Sequence, residues 1–174
     1  MEEETLSSKI AFNGEILNVR VDEIRLPGGR KSTREIIEHS DAVAVVPIDR
    51  NGNMILVRQY RRGAGKDLLE IPAGCVEPGE NPEETVKREL QEEIGYLPNK
   101  ITSMGGFYAS PGYNTEYLYL YLATELVPAK LHAEDTDSIE VVPVPIKSIT
   151  DYIKSGKICD AKSVAGILYY MFMR

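Results

Sequence analysis

The chain has 174 residues, 43% of them apolar and 27% charged, and carries a net charge of −7. That length supports one domain with a small appended element, and a core large enough to need neither disulfides nor structural zinc. No apolar run approaches the ~20 residues that cross a bilayer, no basic stripe suits nucleic acid, and the two cysteines, Cys75 and Cys159, form no CxxC pair.

Taken in chain order, the acidic residues Met1 to Thr5 lead into no apolar signal region, so a cytoplasmic, reduced location is expected. From Lys9 to Glu38 the chain reads as strands. Leu17, Val19 and Val21 alternate with Asn18 and Arg20, the two-residue period of a strand. Pro27, Gly28 and Gly29 supply a turn, and Lys31 to Glu38 returns. A small antiparallel sheet with so little core is expected to pack on something else, such as a partner subunit. We place residues 1–40 in this N-terminal sheet, with a dimerisation role, and residues 41–174 in the main domain.

The main domain opens with Ala42 to Ile48, a continuous apolar run typical of a strand buried on both faces. Arg50 to Asn53 is a hairpin-type turn and Met54 to Tyr60 the next strand. Leu68 to Ile71 is a short apolar stretch, and residues 73 to 81, with Gly74, Pro78 and Gly79, read as a loop. A helix follows from Pro82 to Ile94. Ile101 to Tyr108, Glu116 to Ala123 and Ile139 to Val144 read as strands, with an acidic loop at Ala133 to Ser138. Helices are expected at Ile146 to Ser155 and Ala161 to Met173. This order predicts an α/β fold: a mixed sheet between helices, preceded by the small antiparallel sheet.

The helix carries the chemistry. Asn81 is an N-cap, Pro82 suits the first helical position, Glu84 completes a capping box and Gly95 ends the helix. At ~100° per residue, Val86, Leu90 and Ile94 share the core face. Glu89 and Glu93 fall beside that stripe, and Glu92 one step further round. Carboxylates this close repel one another, and burial makes their charge more costly. A hard divalent cation such as Mg²⁺ or Mn²⁺ removes both penalties. An acidic protein can then present cations, rather than its own charge, to an anionic substrate. Any two of these glutamates alone would read as a solvated helix face, with Arg88 pairing to Glu92.

The whole pattern runs from Gly74 through Glu80 and Arg88-Glu89-Leu90 to Glu92-Glu93, Gly95 and Tyr96. It resembles the Nudix box, matching every glycine and ionic position and departing only at Tyr96, where the family usually has a branched aliphatic residue. The resemblance implies a Nudix α/β/α sandwich that uses Mg²⁺ (or Mn²⁺) to split a diphosphate. It assigns metal ligation to Glu89, Glu93, Glu92 and the Ala73 carbonyl, and a stabilising role to Glu80 through Arg88.

Further segments are similar to the ADP-ribose pyrophosphatase subgroup. They are Pro111, sixteen residues after Gly95, Arg58-Gln59-Tyr60-Arg61, Leu69 to Gly74, and Arg34 to His39. The resemblance implies nucleotide contacts from Arg34 and Arg61, a ribose contact from Glu116, and a homodimer in which Arg34 serves the partner's site. The same subgroup carries glutamates in the acidic loop, one acting as general base. Here the aligned residues are the shorter Asp135 and Asp137, with Glu134 as an alternative. Catalytic roles thus fall to Asp135, Asp137, Glu92 and Arg88, and substrate contacts to Arg34, Arg61, Pro111 and Glu116. The expected reaction is hydrolysis of ADP-ribose to AMP and ribose 5-phosphate. The rivals are hydrolysis of another nucleoside diphosphate sugar, such as GDP-mannose, and a non-catalytic domain that senses nucleotide sugars.

Overall fold

Ala42–Pro47 (β4) is buried along its whole length, and its alternation explains why. Val43 and Val45 point to one apolar cluster, while Ala42, Ala44 and Val46 point to another. The first cluster holds Val86, Leu90 and Ile94 of the box helix; the second holds Ile167 and Tyr170 of the C-terminal helix. One strand therefore divides the core between helices on its two faces. Asn53–Arg61 (β5) divides the same way, with Met54 and Leu56 on one side and Ile55 and Val57 on the other. Each fully buried Val or Leu contributes on the order of 1.5–3 kcal/mol.

The structure is a computed structural model and describes residues 3–133, 136 and 138–173. The remaining elements are β1 (Glu4–Asn13), β2 (Leu17–Arg25), β3 (Lys31–His39), β6 (Lys66–Glu70), β7 (Ala73–Cys75), β8 (Tyr96–Tyr108), β9 (Tyr117–Pro128) and β10 (Glu140–Pro145). The helices are α1 (Pro82–Glu89), α2 (Ile149–Lys154) and α3 (Ala161–Phe172). Among the described residues, no helix is long and apolar enough to cross a membrane.

The chain divides into two units. One comprises the residues up to Asp41 plus Tyr108–Tyr117, and the other Ala42–Phe107 plus Leu118 onward. In the first unit β1, β2 and β3 form an antiparallel sheet with β2 in the middle. Ile24 is its buried apolar side chain, while Ile10, Phe12 and Ile16 are exposed. The segment after β8 belongs to this unit: Ile37 N–H donates to the Tyr113 carbonyl and Thr115 N–H to the Ile37 carbonyl.

In the second unit one sheet runs β7-β4-β9-β8 and another β10-β5-β6. β4 pairs parallel with β9 and antiparallel with β7, so the sheet is mixed, as the sequence predicts. The turn at Arg50 to Asn53 forms, with Asp49 N–H donating to the Asn53 carbonyl and an antiparallel bridge between Ile48 and Met54, although β4 and β5 themselves lie in different sheets. Two local expectations are corrected. Residues 73–75 were expected in a loop, but they pair with β4 as β7. The N-terminal strand starts at Glu4, earlier than Lys9, because an exposed strand carries no apolar alternation to mark it.

The capping box forms as its residues predict. The Asn81 side chain accepts from Glu83 N–H and Glu84 N–H, and Glu84 accepts the Asn81 N–H in return. After Glu89 the helix widens into a π-helical turn over Leu90–Ile94, closed by Gly95 N–H donating to the Leu90 carbonyl. Gly95 takes φ 77°, the left-handed conformation that suits glycine.

Candidate active site

A cavity of about 500 Å³ opens in the second unit. Its wall includes Arg61 from β5, Ala73 and Cys75 from β7, and Arg88, Glu89, Glu92 and Glu93 from the box helix. β4 brings them together: it pairs with β7 on one edge and packs against α1 on one face. Gly74 leaves the room that the Glu89 carboxylate occupies at that junction, since a Cβ there would overlap it. Across the same gap, Ala73 N–H donates to Glu93 Oε2 at 3.2 Å.

Arg88 organises the acids. Its Nε and Nη2 donate to the two oxygens of Glu80 at 2.9 and 3.0 Å, a bidentate pair. Nη1 reaches Glu89 at 2.7 Å and Glu92 at 3.3 Å, and Nη2 also donates to the Cys75 carbonyl at 3.0 Å. The Arg88 guanidinium, with Thr85 adding a hydroxyl bond, holds the Glu80 carboxyl down at about 2.

Glu89 and Glu93 shift in the opposite direction to Glu80. Burial pushes the Glu89 carboxyl up, although Arg88 opposes the shift. Burial and then the Glu89 charge push Glu93 up to about 8, against the pull of Ala73 N–H, Arg61 and Lys162. Among the described residues, no three Asp, Glu, His or Cys side chains converge into a metal cage as they stand. Arg88 holds Glu89 and Glu92 on one side instead. The donor chemistry nevertheless fits a hard cation. Two carboxyls whose ionisation is suppressed by burial and mutual repulsion gain most from a divalent ion beside them.

The other expected site residues are placed differently. Arg61 lines the cavity, but its Nε and Nη2 are bound to the buried Glu70, with Nη2 at 2.6 Å. Arg34, Pro111 and Glu116 belong to the first unit. Arg34 pairs there with Glu3. Pro111 lines a cavity with Arg20, Tyr108 and Tyr113. Glu116 N–H donates to Asn114 Oδ1, and the Glu116 carboxylate lies 3.8 Å from His39 Nδ1. Asp135, Asp137 and Glu134 lie outside the described residues; their neighbours Ala133 and Thr136 line the main cavity.

Sequence reasoning passed over Glu70, Lys162 and Ser163. Glu70 sits 1% exposed between Leu69 and Ile71, so an acid inside an apolar run was its available signal. Lys162 carries no such mark: it meets Glu70 at 2.6 Å from the first turn of α3, 92 residues away in sequence.

Comparisons with known proteins cover nearly the whole chain. The family model described as NUDIX domain matches residues 38–163, and that described as nucleoside diphosphate sugar hydrolase N-terminal domain matches residues 3–37. The chain is 37% identical to the ADP-ribose pyrophosphatase of Bacillus subtilis (strain 168), over 97% of this chain and 92% of that one. It is 35% identical to a methanol dehydrogenase activator of Bacillus methanolicus, again over 97% and 92%. In fold it resembles a crystal structure of an ADP compounds hydrolase, with a TM-score of 0.91 at 22% identity, covering 99% of this chain and 94% of the other.

Proposed function

The chain belongs to the NUDIX domain family and is a Nudix pyrophosphatase of the nucleoside diphosphate sugar type; from that premise we propose that its substrate is ADP-ribose, hydrolysed at the pyrophosphate bond to AMP and ribose 5-phosphate. The observation that carries this reading is the cavity in which Arg61 and Arg88 stand beside Glu89, Glu92, Glu93 and the Ala73 backbone. Such a wall offers cations to a diphosphate only when its acids are themselves neutralised. The match to the Bacillus subtilis enzyme over nearly the whole chain supports the choice of ADP-ribose.

Glu89, Glu93, Glu92 and the Ala73 carbonyl are the residues that would hold Mg²⁺, with Mn²⁺ as a substitute. Bound there, the metal would neutralise the diphosphate and lower the pKa of an attacking water. The protein's own groups do the rest. Arg88 keeps Glu89 and Glu92 aligned while Glu80 anchors Arg88. Arg61 supplies a guanidinium for the diphosphate. Asp135 or Asp137 takes the proton from water. Arg34, Pro111 and Glu116 contact nucleotide and ribose. The exposed Ile10 and Phe12 of β1 and Ile16 of the turn that follows it support a homodimer.

The test is product release from ADP-ribose, GDP-mannose and a deoxynucleoside triphosphate, each with Mg²⁺ and with a chelator. Metal-dependent AMP formation favouring ADP-ribose is expected. Faster turnover of GDP-mannose would keep the mechanism and replace the substrate. Retained binding with no product from any of them would replace the enzyme by a nucleotide-sugar sensor.

A further inference from the structure

Resting on the reading that Arg61 meets the substrate diphosphate, we propose that Glu70 and Lys162 are positioning residues that fix the direction of the Arg61 guanidinium on the cavity wall.

Glu70 is an unusual residue for the end of β6. Its side chain is 2% exposed, deeper than either partner, at 40% for Arg61 and 15% for Lys162. Arg61 donates Nε to both carboxylate oxygens at 3.1 Å and Nη2 to Oε2 at 2.6 Å. Contact along one edge of the guanidinium fixes its plane as well as its position. Lys162 also donates to Oε2, at 2.6 Å.

The chain builds support behind that contact. Asp160 caps α3, accepting from Ser163 N–H at 3.1 Å, and its Oδ1 also receives Lys162 at 2.9 Å. Ser163 Oγ, fully buried, accepts the Ile71 N–H at 2.9 Å. The first turn of α3 thus holds the Glu70 side chain through Lys162 and the next backbone amide through Ser163. Two residues on, Ala73 donates to Glu93.

Stability alone is a poor reason for such a cluster. A buried ion pair can often be replaced by apolar side chains at no loss, because desolvation offsets the attraction. Burial of Glu70 opposes its ionisation, and Arg61 and Lys162 together outweigh that and hold the carboxyl below its usual range. What the arrangement supplies is a guanidinium already ordered at a surface that anions reach. A loose arginine would lose that conformational freedom on binding. The role is therefore in substrate affinity, with bond cleavage left to the box residues.

The test is a double-mutant cycle with Glu70→Gln, Arg61→Ala and the pair together. Three quantities are read with Mg²⁺ present: KM and kcat on the nucleotide sugar that the wild type cleaves fastest, and the Kd of ADP by calorimetry. Glu70→Gln is expected to raise KM and the ADP Kd ~10-fold with kcat changed less than ~3-fold. The double variant should bind no worse than Arg61→Ala, because Glu70 acts through Arg61. Lys162→Met should move KM in the same direction, and Lys162→Arg should restore it. If Glu70→Gln does not fold, Lys162→Met takes its place in the cycle.

Additive effects of Glu70→Gln and Arg61→Ala would overturn the proposal. So would a normal KM and Kd in Glu70→Gln, or in Arg61→Ala. A wild type that cleaves no nucleotide sugar defeats the proposed function alone, and the cycle is then decided on the ADP Kd.

Discussion

Gly74 and Glu89 approach so closely that a single methyl group on the glycine would occupy the space of the Glu89 carboxylate. The obstacle is the far end of a flexible side chain, so the fold can yield by swinging Glu89 away. Gly74→Ala should therefore leave the thermal midpoint within a few degrees of wild type while Mg²⁺-dependent turnover falls ~100-fold or more. Normal turnover in a folded Gly74→Ala protein would remove Glu89 from the metal site.

Glu93→Gln should cut turnover on the order of 10³-fold without unfolding the protein. It should also change the pH response of the metal-free protein. The Glu93 carboxyl is raised to about 8 in the folded state, so between its usual value of 4.5 and about 8 the folded chain binds more protons than the unfolded one. Stability then falls as pH rises through that window. Thermal melts in chelator across it should show the decline in wild type and a flatter profile in Glu93→Gln; parallel profiles would sink the assignment.

Glu80 has the opposite sign. Held at about 2 by Arg88, it is ionised in the fold well below its usual 4.5. Its contribution to stability is present above about 4.5 and lost as pH falls toward about 2. Melting temperatures of wild type and Glu80→Gln should therefore converge on acidification from about pH 6 to about pH 3. A gap that stays constant over that range would mean that Glu80 is not ionised against Arg88.

Phe12 on β1 is 58% exposed and Ile16 in the turn after it 75%. Wild type is expected to sediment as a dimer and Phe12→Glu to shift toward monomer. A monomeric wild type would end the case for a homodimer.

The sequence carried the fold where burial was two-sided or periodic. β4 was visible as an unbroken apolar run, and α1 by its cap, its stripe and Gly95. The acids of the box were legible because their spacing is local. Long-range partners were not: Lys162 approaches Glu70 only because α3 packs over β4, and no local pattern announces a contact across 92 residues. β7 was missed for a related reason. Three residues with two small side chains carry no period, and only their pairing with β4 makes them a strand. Arg61 was legible as an arginine on a strand, whereas the partner that holds it was hidden inside an apolar stretch.

The π-helical turn at Leu90–Ile94 bears on how this chain can change length. A π turn holds one residue more than the α turn it replaces, and such widenings recur at functional sites. Losing any one residue between Glu89 and Gly95 would let the helix close to ordinary pitch. That closure would absorb most of the ~100° each helical residue contributes, so the chain beyond Gly95 would keep its direction, but Glu92 and Glu93 would lose their present spacing from Glu89 at the cavity. In a library of single-residue deletions, this stretch should be among the emptiest, while the exposed turn at Arg50 to Gly52 tolerates loss.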